Sequence, residues 1–251
     1  MELKLAQLSK HTWFFPHDPN PMAVQASIGV IATKKGTLLV DTGNSPRLAS
    51  RVKTELMRCN LPPVSHIIYT HHHWDHVYGA CEFDVQVIAH VICKTILEKE
   101  SKKPWSIEYL NQEVKNNPKL EISYHARAKA IDDWDTFQIV VPEEVFENEK
   151  VIDLDGLTIE LEHVGGNHSE DSIIVKVPQD EVMFIGDCYY PPPLHLRKPY
   201  SRPEFDILRQ LHKYNYNLYV EGHAKPFTQT KLRKLLPKNT DELGTQQSLH
   251  R

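Results

Sequence analysis

Several features that organise other chains are missing here. The four cysteines, Cys59, Cys81, Cys93 and Cys188, have neither the paired spacing of a thiolate metal site nor a secreted context. Reduced thiols are therefore expected, and no disulfide framework. No apolar run approaches the ~18 residues of a membrane span, and residues 1–7 lack the apolar core and cleavage site of a signal peptide. The reading is a cytoplasmic protein without a membrane partner. Basic clusters are also absent: the formal net charge is −4 and no cationic run exceeds pieces such as Lys102-Lys103, which argues against a nucleic acid partner. No internal repeat is evident.

What is present suits one large folded domain over residues 1–251, with 40% hydrophobic and 25% charged residues. Residues 27–33 and 37–41 are β-rich runs around Lys34-Lys35-Gly36 and predict a hairpin. A helix is expected over 46–59, with Ser45 as N-cap and Pro46 in its first position, then a buried strand over 66–69. A strand over 85–89 and a helix over 91–100 continue the alternation of an α/β fold. Residues 101–149 break it. This charged stretch carries Trp105, Tyr109, Tyr124, Trp134 and Phe137, with a helix near 107–115, and reads as an insertion. It could serve as a lid over a cleft, pack as an ordinary subdomain, or present a homodimer surface. Two further hairpins are expected, 151–154 with 157–162 and 172–177 with 181–185. A helix follows to about 214, with Ser201 and Glu204 as capping box, and then a strand over 218–220.

Any single one of the 15 histidines is more plausibly a surface or core residue than a ligand. Position changes that for His71, His73, Asp75 and His76, four metal-competent side chains within six residues just past a strand. Imidazole with carboxylate favours a transition metal over magnesium or calcium. His168, Asp187 and His223 each sit at or between predicted strand ends in the second half, where they can complete the site.

These residues, with the preceding Asp41-Thr42-Gly43, resemble the metallo-β-lactamase-fold superfamily of metal-dependent hydrolases across essentially the whole chain. The resemblance implies a four-layer αβ/βα sandwich and a site for two metal ions, zinc first, with iron or manganese as alternatives. His71, His73 and His168 would hold one ion, Asp75, His76 and His223 the other, and Asp187 would bridge them, with Asp41 supporting. The loop 165–172 departs from the proline and glycine that many relatives place around this histidine. Asp187 is unlike true β-lactamases, so antibiotic hydrolysis is not expected.

The expected chemistry is hydrolysis of a small ester, thioester or lactone by a hydroxide shared between the metals. Asp75 would orient the water or accept its proton, and Tyr190 would donate to the developing oxyanion, as in lactone-hydrolysing relatives. Phosphodiester cleavage is the alternative within the same fold. A mononuclear iron persulfide dioxygenase-like oxidoreductase, using His71, His168 and Asp187, is the alternative outside hydrolysis. Cys188 should point away from the site, His72 alternates off the ligand face, and Trp74 packs beside the metals. Arg197, Lys198 and Arg202 form either an anion-binding group or a solvated loop.

Overall fold

The computed structural model describes residues 3–237 as two β-sheets packed face to face, each backed by helices. The first sheet holds β1 (Ala6–Gln7), β2 (Thr12–Phe15), β3 (Ile28–Ala32), β4 (Thr37–Val40), β5 (Val64–Ile68), β6 (Gln86–His90) and β7 (Glu144–Phe146), side by side in chain order. Pairing is antiparallel from β1 to β4 and parallel from β4 to β7. Its helices are α1 (Pro46–Arg58), α2 (Trp74–Val77), α3 (Val91–Glu100), α4 (Ile107–Asn116) and α5 (Glu121–Ala130). The second sheet holds β8 (Glu149–Leu154), β9 (Leu157–His163), β10 (Ile173–Val177), β11 (Val182–Gly186), β12 (Leu218–Glu221) and β13 (Phe227–Thr228), with α6 (Phe205–Tyr214) and α7 (Gln229–Leu235).

The period of two along the strands builds the layers. Ile173 and Val175 of β10 face the first sheet and pack with Ile31, Leu38 and Ile68, whereas Ile174 between them packs with Leu208 and Leu211 of α6. β11 repeats the division, with Val182 and Phe184 inward and Met183 and Ile185 toward the helices. On the other side Leu39 and Ile67 meet Leu48, Val52 and Leu56, the buried stripe of α1. That helix starts as expected: Ser45 Oγ accepts from Leu48 N at 3.2 Å behind Pro46. The four-layer sandwich is thus the observed architecture.

Two local expectations need correction. Ser201 and Glu204 form no capping box: Glu204 is itself the N-cap residue of α6 and makes no side-chain cap bond. Its carboxylate accepts from Asn167, and Ser201 Oγ accepts from Lys198 N, because Pro203 keeps the preceding residue extended and Ser201 out of capping reach. The stretch 101–149 also contains a strand that its sequence did not reveal, since β7 is the edge of the first sheet. The remainder packs α4 on α5 through Leu110, Leu120 and Tyr124, a small core of its own.

Candidate metal centre

The candidate ligands gather where both sheets present the C-terminal ends of parallel strands. Asp41 follows β4, residues 70–76 follow β5, Asp187 follows β11 and His223 follows β12. His168 lies on the β9–β10 connection, which returns to this end because β9, β10 and β11 alternate in direction. Backbone bonds stitch the two sheets together here: Ile173 N donates to Thr70 O at 2.9 Å, and Ser27 N to Gly222 O at 2.6 Å. Gly166, at φ +116°, passes so close to the Cys188 carbonyl that a Cβ would lie 2.8 Å from its oxygen, which ties the His168 loop against the strand end carrying Asp187.

All seven residues come together. Ligand atoms of His71, His73 and His168 lie within 4.8 Å of one another, as do those of His71, His76 and Asp187 and those of Asp75, His76 and His223. Trp74–Val77 is one helical turn rather than an irregular loop, and it places Asp75 and His76 on the site.

The hydrogen bonds fix which nitrogen of several imidazoles carries a lone pair. Thr70 Oγ1 donates to Asp41 Oδ2 at 2.7 Å, so at 3.1 Å it accepts from His71 Nδ1 and leaves His71 Nε2 bare. His168 Nδ1 donates to the Pro191 carbonyl at 3.1 Å, which leaves its Nε2 bare as well. Both lone pairs approach His73 Nδ1, at 2.9 and 3.0 Å. A single N–H on His73 satisfies only one of them, whereas a cation among the three satisfies all. Burial first, then neighbouring histidines, hold His71 and His73 well below the ordinary imidazole range, the neutral form that a metal requires.

The second group is built around carboxylates. His76 Nδ1 donates to Asp41 Oδ2 at 2.7 Å, and His76 Nε2 is a buried atom without a hydrogen-bond partner, 3.6 Å from an oxygen of Asp75 and of Asp187. Asp187 Oδ1 is likewise buried without a partner. His223 Nε2 lies 3.1 Å from Asp75 Oδ2 and 3.2 Å from Asp187 Oδ2. Burial opposes charge on His223, but Asp187 and Asp75 push it up to about 10, while burial of Asp187 is outweighed by His223 and His76, which hold it well below the carboxylate range. Orphaned lone pairs on His76 Nε2 and Asp187 Oδ1, beside a second buried carboxylate, fit a metal cation.

The neighbours take distinct places. His72 bonds through Nδ1 to Asp171 at 3.0 Å and to Ser169 Oγ at 3.1 Å, and its N–H bonds to Asp171 at 2.8 Å, so Asp171 braces the 70–76 loop against the His168 loop. Sequence reasoning missed Asp171, whose partner is 99 residues away in the chain. Cys188 is buried in the outer core, and burial pushes its thiol up. Trp74 donates Nε1–H to Ser123 Oγ of α5 at 3.1 Å. Two cavities open on the cluster, of about 230 and 530 Å³, and both are lined by His73, His168 and Arg127. Tyr190 lines the smaller. Arg197, Lys198 and Arg202 are exposed and line neither.

A family profile described as the metallo-beta-lactamase superfamily matches residues 21–223, from ahead of β3 to the last candidate ligand. The chain belongs to the metallo-beta-lactamase superfamily. A metallo-beta-lactamase from Pontibacter korlensis aligns at TM-score 0.64 and 16% identity, covering 94% of this chain and 97% of that one. One from Hirschia baltica aligns at TM-score 0.63 and 15% identity, covering 95% and 100%. A double mutant of the sec-alkyl sulfatase PisA1 reaches TM-score 0.68 at 16% identity over 93% of this chain but 40% of that one. These likenesses are of fold. No curated protein matched the sequence. Among the described residues, no helix is long and apolar enough to cross a membrane.

Proposed function

We propose that this superfamily member is a dinuclear metal-dependent hydrolase of small esters, thioesters or lactones. The observation that supports it best is the pair of nitrogen-and-carboxylate groups joined through His76 and Asp187, with imidazole lone pairs turned inward by Asp41, Thr70 and the Pro191 carbonyl. His71, His73 and His168 would hold one ion, Asp75, His76 and His223 the second, and Asp187 would serve both. A nitrogen and oxygen donor set without thiolate suits zinc, with iron or manganese as alternatives. Bound there, the ions supply Lewis acidity and lower the pKa of water.

The chain's own groups do the rest. Asp41 holds His76 and, through Thr70, His71 in the ligating tautomer. Asp75, with Oδ2 beside His223, orients the attacking water and takes its proton. Tyr190 sits with its ring centroid 5.9 Å from that of His168 and 6.3 Å from that of His223. Burial, then Asp187 and Glu221, raise its phenol far above the ordinary value, so it remains a donor across the working pH range. We assign it to the developing oxyanion, in exchange for its contact with Glu221. Tyr190→Phe is expected to lower kcat by ~100-fold with a smaller change in KM. Unaltered turnover would reduce Tyr190 to packing.

The reading as a whole is tested by metal content per chain, measured by plasma mass spectrometry on protein purified without an affinity metal, with His71→Ala and His223→Ala in parallel. Near two zinc ions per chain, reduced in both variants, is the expected result, followed by turnover of ester, thioester, lactone or phosphodiester probes. One iron per chain, insensitive to His223→Ala, would instead favour the mononuclear oxidoreductase.

A further inference from the structure

Arg127 is a half-buried cation with no carboxylate partner among the described residues. Its guanidinium carbon lies 4.8 Å from the ring centroid of Tyr124, 4.9 Å from Trp105, 5.3 Å from Trp74 and 5.7 Å from Tyr78. Rings attract the faces of a guanidinium and hold its plane, while its N–H donors radiate in that plane. Those donors are poorly used: among the described residues, Nη1 reaches the Tyr78 hydroxyl at 3.5 Å, Nε is buried without a partner, and no carboxylate pairs with Arg127. Glu100, which lines the same larger cavity, is taken by Lys103 at 2.6 Å. A charged donor buried without an acceptor is costly unless something else supplies one.

Arg127 lines both cavities, and so do His73 and His168. α5 carries it there: Ser123, one turn earlier on the same face, is bonded to Trp74 next to Asp75. His195, across the same space, is kept neutral by burial and by the Arg127 charge, so it adds a hydrogen-bonding group without competing for an anion. We propose that Arg127 determines specificity by receiving a two-oxygen anionic group of the substrate, a carboxylate or a phosphate, beyond the bond cleaved beside His73 and His168. This rests on the hydrolase reading for the reaction, though not for the binding. A fork of in-plane donors set among four aromatic rings is suited to reading a two-oxygen anion rather than a point charge.

Because Trp74 and Trp105 flank Arg127, tryptophan fluorescence reports on it directly. The as-purified protein is titrated with glutarate, with propylphosphonate and with neutral glutaramide, alongside Arg127→Gln and Arg127→Lys. Saturable binding of at least one anion and not of glutaramide is expected, weakened at least ~10-fold in Arg127→Gln and several-fold in Arg127→Lys, which keeps the charge and the aromatic contacts but loses the fork. The preferred anion identifies the source, carboxylate or phosphate. Equal anion affinity in Arg127→Gln and the unaltered protein, an equal response to glutaramide, or no response to either anion would overturn the proposal. Should Arg127→Gln fail to fold, judged by circular dichroism, Arg127→Lys decides. An aryl glutarate monoester compared with the aryl butyrate should then show a KM raised at least ~10-fold for the anionic ester alone in Arg127→Gln, with kcat retained. If the unaltered protein hydrolyses neither ester, the hydrolase reading fails while the anion titration still judges Arg127.

Discussion

Asp187→Ala is expected to leave one metal ion or fewer per chain and to cut hydrolysis by ~10³-fold or more. Asp187 reaches both groups through one oxygen: its Oδ2 lies 3.4 Å from His168 Nε2, 3.2 Å from His223 Nε2 and 3.6 Å from His76 Nε2. Removing it strips negative charge from a buried pocket of imidazoles, so a bound cation would lose a ligand and the field that draws it in. Metal assistance contributes several kcal/mol to such reactions, and about 4 kcal/mol corresponds to ~10³ in rate. Asp187→Asn separates the two losses, since it keeps the shape and one oxygen while removing the charge. Metal analysis and ester turnover on both variants give the answer. Two ions per chain retained in Asp187→Ala would overturn the bridging role proposed for Asp187.

The second large effect comes from a residue with no side chain. Gly222→Ala is expected to lower activity by ~100-fold and to weaken the second metal position, while the protein stays folded. A Cβ on Gly222 would stand 2.2 Å from Asp187 Oδ1 and 2.9 Å from His76 Cε1. Neither neighbour yields cheaply, because His76 is held by Asp41 and Asp187 is short and buried. The backbone is held too: Gly222 N donates to Gly186 O at 3.2 Å, and Gly222 O accepts from Ser27 N. The strand end or the carboxylate must therefore move by something near 1 Å, a displacement that typically costs ~100-fold in rate. Metal content, turnover and thermal midpoint measured together check this. Full activity with two ions bound would mean that the loop absorbs the methyl group.

Some elements were legible before any coordinates because their signals are local. The helix over 91–100 was expected with the observed bounds, and the helix from Pro46 ends at Arg58, one residue before its expected end. Proline, a capping serine and apolar spacing suffice there. β2 and the short pairs β1 and β13 were not foreseen, since two to four residues at or near a sheet edge carry no readable period. α5 was missed for a related reason. Its buried residues Tyr124, Ala126 and Ala130 do not make a clean stripe, and its Arg127 faces Trp74, Tyr78 and Trp105, which come from other parts of the chain.

The sequence by itself determined the family, the α/β order and the identity of the candidate ligands, because His71, His73, Asp75 and His76 fall within six residues and Asp187 and His223 follow strands with strong patterns. Only the tertiary structure decided which imidazole nitrogens bear lone pairs, that Asp171 braces two loops, and that Arg127 meets no carboxylate among the described residues. Each depends on partners that a fold brings together from up to about a hundred positions apart, such as His72 with Asp171, and local patterns hold no record of such meetings.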